Sequence, residues 1–194
     1  MQIVSKKGQT FNIRSLIMSD AKQLSAYFLN LSDASKRRYG PHPLTAQHAQ
    51  YVCTTEQLLN DKIIRLVITN GEQDIIGYII LDSNIVQEDA LRYEQQGFNL
   101  LDGLHFFLAP SIADNYQNQG IASRVMPMLI ELAIERGTHR LILMGGTQLS
   151  NKVAVSYYEK VGFVRLDEFQ TDVANVDMYM MLTDPRVNKK CINY

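Results

Sequence analysis

One stretch narrows the choice of fold more than any other. An apolar run, Leu104 to Ala113, passes through a short polar loop into a long segment, Ile121 to Glu135. Ile121, Val125, Met128, Leu129, Leu132 and Ala133 recur there at helical spacing. A buried strand that feeds an amphipathic helix belongs to a mixed α/β arrangement. Gly137 stops that helix, and Pro127 inside it removes a backbone donor and predicts a kink. Pro110 inside the strand predicts a bulge or a splayed edge, because proline donates nothing to a ladder.

The rest of the chain alternates in the same way. Thr10 to Leu16 reads as a strand, and Ala21 to Leu31 as a helix behind the capping oxygens of Ser19 and Asp20. Ser32 to Pro43 reads as a loop, and Thr45 to Leu59 as a second helix capped by Thr45. Ile63 to Thr69 and Ile75 to Leu81, rich in β-branched residues, flank a turn and form a hairpin. Asn84 to Asn99 is a polar insert with room for a helix over Glu88 to Gln96, ended by Gly97. Beyond the long helix come a strand at Leu141 to Met144 and a helix at Asn151 to Val161 closed by Gly162. Two further strands follow at Val164 to Phe169 and Val176 to Leu182, then a polar tail from 183 to 194. The expected architecture is a mixed sheet with helices on both faces.

Composition restricts function more than it identifies it. The 194 residues are 46% hydrophobic and 20% charged, enough apolar content for a real core. Nineteen Lys and Arg against 20 Asp and Glu give a net charge of −1, without the basic excess of a nucleic-acid binder. Two distant cysteines, Cys53 and Cys191, form neither a zinc motif nor a disulfide framework, so no metal is expected. No run approaches the ~20 apolar residues of a membrane span. No signal-peptide core stands at the N-terminus, so the expected location is cytoplasmic and the chain is read as a single domain, 1–194.

The most informative residues are Ile112-Ala113-Asp114-Asn115-Tyr116-Gln117-Asn118-Gln119-Gly120-Ile121-Ala122-Ser123. Gly120 and Ala122 let a ligand approach the backbone closely, and the first turn of the helix exposes N–H groups that no intrahelical carbonyl can use. Those donors and the positive end of the helix form a site suited to phosphate, to which Ser123 adds a hydroxyl. The loop is neither a dinucleotide G-x-G-x-x-G nor a P-loop.

Gln117-x-x-Gly120-x-Ala122 resembles the Q/R-x-x-G-x-G/A signature of the GNAT superfamily of N-acetyltransferases. Asn151-x-x-Ala154-x-x-x-Tyr158-x-x-x-Gly162-Phe163 resembles a later segment of the same family, and the order of elements agrees from about residue 10 to 182. The resemblance implies an acyl-CoA N-acyltransferase fold, with a mixed and mostly antiparallel central sheet flanked by helices. It implies acetyl transfer from acetyl-CoA to a primary amine by direct attack in a ternary complex. Gln117, Asn118, Gln119, Gly120, Ile121, Ala122 and Ser123 would cradle the pyrophosphate. Ile112 and Ala113 would hydrogen-bond the pantetheine arm and the thioester carbonyl, Asn151 would contact the pantetheine region, and Tyr158 would protonate the departing thiolate. Read from the residues alone, Tyr158 is also a core aromatic and Asn151 also an ordinary helix cap.

The pattern departs from the family at one point. Where many members carry a glutamate base on the central strand, this chain has Phe106, with Leu108 and Pro110 on the same face. His42, His105 and Asp102 remain as candidate bases beside an ordered water chain, and among the side chains His42 is favoured because its loop would border the acceptor pocket. A non-catalytic acyl-CoA-binding sensor, or an acetyltransferase of protein or peptide amines, is the alternative. The amine acceptor is not named by the sequence, and a homodimer stays open. Lys36-Arg37-Arg38 is read as a solvated loop, and the 84–99 insert as a surface excursion. Met144-Gly145-Gly146-Thr147 is richer in glycine than expected, either shaping a pocket or bending a strand.

Overall fold

The structure, a computed structural model, describes residues 1–100 and 103–182. Asp102 and the tail from 183 onward lie outside the described residues. Strands β1 (Gln2–Val4) and β2 (Thr10–Ser15) pair antiparallel, with Ile3 opposite Phe11. The first of these was too short to declare itself in the sequence. A single 3-10 turn leads into α1 (Ala21–Asn30), which buries Leu24, Tyr27 and Phe28. Asp20 does not cap α1. Its carboxylate accepts two hydrogen bonds from Arg14, at 2.6 and 2.8 Å, and one from the Ile17 N–H.

The stretch read as a loop after Leu31 holds a helix, α2 (Asp33–Arg38). Ser32 is its cap, accepting from the Ser35 N–H. Asp33 in the first turn and Lys36, Arg37 and Arg38 in the last complement the helix dipole. The second expected helix is two, α3 (Ala46–Val52) and α4 (Thr55–Leu58), with Thr45 capping the first as predicted. The hairpin stands as read, β3 (Ile63–Thr69) and β4 (Ile75–Asp82).

The insert folds as α5 (Gln87–Gln95), and it is no loose excursion. Tyr93 on it is fully buried with Leu100, and its hydroxyl donates to the Met178 carbonyl at 3.2 Å. Then come β5 (His105–Ile112), α6 (Ile121–Glu135) with Pro127 inside it, β6 (Arg140–Leu143) and a two-residue strand, β7 (Thr147–Gln148). Helix α7 (Lys152–Val161) and strands β8 (Val164–Gln170) and β9 (Ala174–Met181) complete the order. The parallel ladder of β5 with β6 runs from His105 opposite Arg140 to Leu108 opposite Leu143. It therefore ends two residues before Pro110.

The nine strands form one mixed sheet in the order β1-β2-β3-β4-β5-β6-β9-β7, with β8 paired to β9. Apart from β5 with β6, the pairs β1–β2, β2–β3, β6–β9, β7–β9 and β8–β9 are antiparallel. The chain divides into two compact units, Met1–Leu81 with Ala109–Arg124, and Asp82–Leu108 with the residues from Val125 onward. In the first, Phe11, Ile13, Leu24, Phe28, Ile68 and Tyr78 are buried. In the second, Tyr93, Leu100, Phe107 and Ile142 form a cluster against which Phe98, Leu166 and Tyr179 pack. Each such side chain stabilises its unit by roughly 1.5–3 kcal/mol on burial. No helix among the described residues is long and apolar enough to cross a membrane.

Candidate active site

The polar loop after β5 is built to leave backbone donors unspent. The Ala113 N–H donates to the Ile76 carbonyl at 2.8 Å and fixes where the loop departs. Asp114–Tyr116 make one 3-10 turn. Asn118 and Gly120 then take positive φ, 59° and 78°. The first bond of α6 is Arg124 N–H to Gly120 carbonyl at 3.2 Å, so the N–H groups of Ile121, Ala122 and Ser123 stand ahead of the helical ladder. These are the donors expected to meet a phosphate, at the positive end of the helix.

Several side chains of the same loop bond within it or to the start of α2, and of Asp114 to Gln119 only Gln119 is buried. Gln117 donates from Nε2 to the Ile112 carbonyl at 2.9 Å and to Ser35 Oγ at 3.4 Å. The Ile112 carbonyl is thus already engaged within the loop. Gln119 is buried, its Nε2 donating to the Asn115 carbonyl at 2.8 Å while its Oε1 has no partner. Asp114 accepts from the Ser32 N–H at 2.9 Å and from the hydroxyls of Ser32 and Ser35, both at 2.7 Å. Burial pushes its carboxyl up, but those hydrogen bonds outweigh it and hold the group below its ordinary range. Asp114 therefore ties the start of α2 to the loop. A Ser-Asp pair ahead of a basic run signals such a capped helix, and that signal was legible in the sequence.

His42 lies among rings of the first unit. It stacks on His48 with centroids 3.9 Å apart and stands edge-on to Tyr39 and Tyr78. Its Nδ1 lies 3.0 Å from the Pro43 carbonyl, and its Nε2 3.2 Å from the Tyr39 hydroxyl. A carbonyl only accepts, so Nδ1 carries the proton and Nε2 accepts from Tyr39. Desolvation pulls the imidazole down to about 4, with His48 and Arg65 adding to the fall and the Pro43 bond opposing it. Both nitrogens are committed and the ring is neutral at pH 7. His42 thus sits among aromatic rings with both ring nitrogens engaged. His105 is fully buried, edge-on to Phe107 at 5.0 Å, and is a core residue.

In the second unit, Asn151 caps α7, accepting from the Ala154 N–H at 3.3 Å. Tyr158 is half-buried on that helix, with Phe163 and Tyr157 each 5.3 Å away in ring contact. Desolvation raises its phenol above the ordinary value, so it is a protonated donor at neutral pH. Gly162 closes the helix with φ 111°.

The glycine pair after β6 has a structural task. Gly145 and Gly146 both take positive φ, and a Cβ on Gly146 would fall 2.7 Å from the Phe169 ring and 2.9 Å from the Val176 carbonyl. The Gly145 N–H donates to Asp89 Oδ2 at 3.0 Å. Asp89 pairs with Arg92, which also grips Asp177 through Nε at 2.8 Å and lies 3.8 Å over the Phe169 ring. Burial raises the Asp177 carboxyl, Asp89 adds to the rise and Arg92 opposes it. Two buried carboxylates thus share one guanidinium. Among the described residues no group of three His, Cys, Asp or Glu is placed to hold a metal ion.

Known structures share this fold. No curated protein matches the sequence. The GNAT domain of S. lividans PAT superposes with a TM-score of 0.73 at 20% identity, covering 93% of this chain and 96% of its own. AAC(6')-Ib in complex with ribostamycin and coenzyme A gives 0.67 at 20%, covering 88% and 93%. Spermidine N-acetyltransferase from Vibrio cholerae, in complex with CoA and spermine, gives 0.66 at 17%, covering 94% and 98%. Likeness at such identities speaks for the fold alone. The model of the acetyltransferase (GNAT) family matches residues 28–163, a span that includes the loop at 112–123 and the helix carrying Tyr158. This chain belongs to the acetyltransferase (GNAT) family.

Proposed function

We propose that this protein transfers an acetyl group from acetyl-CoA to a primary amine by direct attack in a ternary complex. The observation that carries the reading is the loop at 117–123, whose positive-φ residues and three leading N–H groups make a cradle for a polyanion. Gly120 has no side chain of its own and takes the positive φ of the turn, which fits a loop that wraps the pyrophosphate of CoA. When bound, acetyl-CoA supplies an activated acetyl thioester.

The residues divide the work. The N–H groups of Ile121, Ala122 and Ser123, with the turns at Asn118 and Gly120, hold and neutralise the pyrophosphate. Gln117 and Gln119 brace that loop from inside through Ile112 and Asn115. A backbone donor near Ala113 stabilises the charge that grows on the thioester oxygen. Tyr158 donates its proton to the leaving thiolate, and Asn151 contacts the pantetheine arm while it caps α7. His42, with both nitrogens engaged, forms part of the wall on the acceptor side. The enzyme works as one acetyltransferase domain in the cytoplasm.

The second reading is a sensor that binds acyl-CoA without turnover. Phe106 at the position of the usual glutamate, and the depressed basicity of His42, favour it. A coupled CoA-release screen over polyamines, amino acids, aminoglycosides and peptide N-termini separates the two. The enzyme reading expects turnover with one class. It expects Tyr158→Phe to cut kcat at least tenfold while the affinity for acetyl-CoA holds. Thermal stabilisation by acetyl-CoA with no turnover on any amine would establish the sensor instead.

A further inference from the structure

The turn that joins β1 to β2 rests on the loop just described. The Lys6 N–H donates to the Gln119 carbonyl at 2.9 Å. Ser5, itself buried, braces the turn, its hydroxyl accepting from the N–H groups of Lys7 and Gln9 at 3.3 and 3.2 Å. From this fixed point the Lys6 side chain runs across Gly120. Its Cγ, Cε and Cδ lie 2.9, 3.0 and 3.2 Å from where a Cβ on Gly120 would stand. Glycine at 120 thus serves two ends: it takes φ 78°, and it leaves a channel for the lysine stem.

The placement works against the free protein. Gly120 accepts the first hydrogen bond of α6, so Lys6 lies over the positive end of a fifteen-residue helix. A cation there is repelled by the helix dipole. Lys6 has no ion-pair partner among the described residues that would offset this. An anion seated on the N–H groups of Ile121, Ala122 and Ser123 reverses the sign, since the ammonium and the helix then pull on the same charge.

We propose that Lys6 is a cofactor-binding residue whose ammonium pairs with the pyrophosphate of CoA held by the loop at 117–123. The proposal rests on the acetyl-CoA reading above and adds to it a side chain from the N-terminal hairpin.

Calorimetric titration of the whole chain tests it, with CoA, 3′-dephospho-CoA and S-acetylpantetheine as ligands, at low and physiological salt. Lys6→Gln should lower the affinity for CoA about three- to tenfold at low salt and flatten its salt dependence. Dephospho-CoA, which keeps the pyrophosphate, should lose the same factor, and S-acetylpantetheine, which lacks phosphate, should lose none. Lys6→Arg should restore CoA binding to within about twofold of wild type. Wild-type affinity for CoA in Lys6→Gln overturns the proposal, as does an equal loss with S-acetylpantetheine. A loss confined to CoA and absent with dephospho-CoA overturns the pyrophosphate assignment. If the wild-type chain itself binds no CoA, the acetyltransferase reading falls too, whereas equal binding by both proteins removes the lysine alone.

Discussion

Of the loops that carry glycine at positive φ, those at Gly120 and at Gly145–Gly146 differ sharply in where their N–H groups go. After Gly120 the N–H groups of Ile121, Ala122 and Ser123 stand ahead of the helical ladder, and the atoms nearest to where a Cβ on the glycine would stand belong to a flexible lysine. At Met144–Thr147 the Gly145 N–H is spent on a buried carboxylate, and Gly146 is pinned between the Phe169 ring and the Val176 carbonyl. The first loop is proposed to hold a ligand with its N–H groups, and the second spends one of them in the fold. Glycine content alone does not separate the two cases. Where the N–H groups go does.

Substituting each loop in turn separates those roles. The largest effect belongs to Gly146→Ala, whose Cβ meets an aromatic ring and a backbone oxygen, neither free to yield, in a conformation that costs a further 1–2 kcal/mol. Denaturant unfolding should show a loss of about 3 kcal/mol, while the folded fraction binds CoA as before. Asp89→Ala comes next, at about 2 kcal/mol. It strands the Gly145 N–H, but Asp177 still holds Arg92. CoA affinity should again be unchanged, and a loss of binding in either variant would give the second loop a ligand role. Gly120→Ala should behave in reverse. The atoms nearest its new Cβ are lysine methylenes that can swing aside, so stability falls by about 1 kcal/mol, but CoA affinity falls about tenfold in calorimetry. Equal loss of stability in Gly120→Ala and Gly146→Ala would break the comparison.

The sequence disclosed the elements whose signals are local. The Asn70–Asp74 turn between β-branched runs, the apolar stripe of α6 and the cap at Thr45 all specify themselves within a few residues. What escaped depends on partners distant in the chain. Strand β1 is three residues long and exists by pairing with β2. Asp114 looked like an ordinary loop acid, and only Ser32 and Ser35, some 80 residues earlier, give it a task. His42 was favoured as a base because its loop would border the acceptor pocket. Its stacking on His48 and its bond to Pro43 are tertiary facts that no spacing announces. Lys6 was missed for the same reason, since its partner loop lies more than a hundred residues away.

The smallest effect sharpens the comparison on the far side of the second loop, at Asn151. Its side-chain oxygen caps α7, and the family resemblance also assigns it a contact with the pantetheine arm. These roles are separable because a carboxylate caps as well as an amide but carries no N–H donor. Asn151→Ala should cost about 1 kcal/mol of stability through the lost cap. Asn151→Asp should restore that stability, helped by negative charge at the start of a helix. If the amide also donates to CoA, the Asp variant keeps its melting temperature but binds CoA several-fold more weakly, with a carbonyl acceptor of the ligand left unpaired. If Asn151→Asp matches wild type in both readouts, Asn151 is a cap and nothing more.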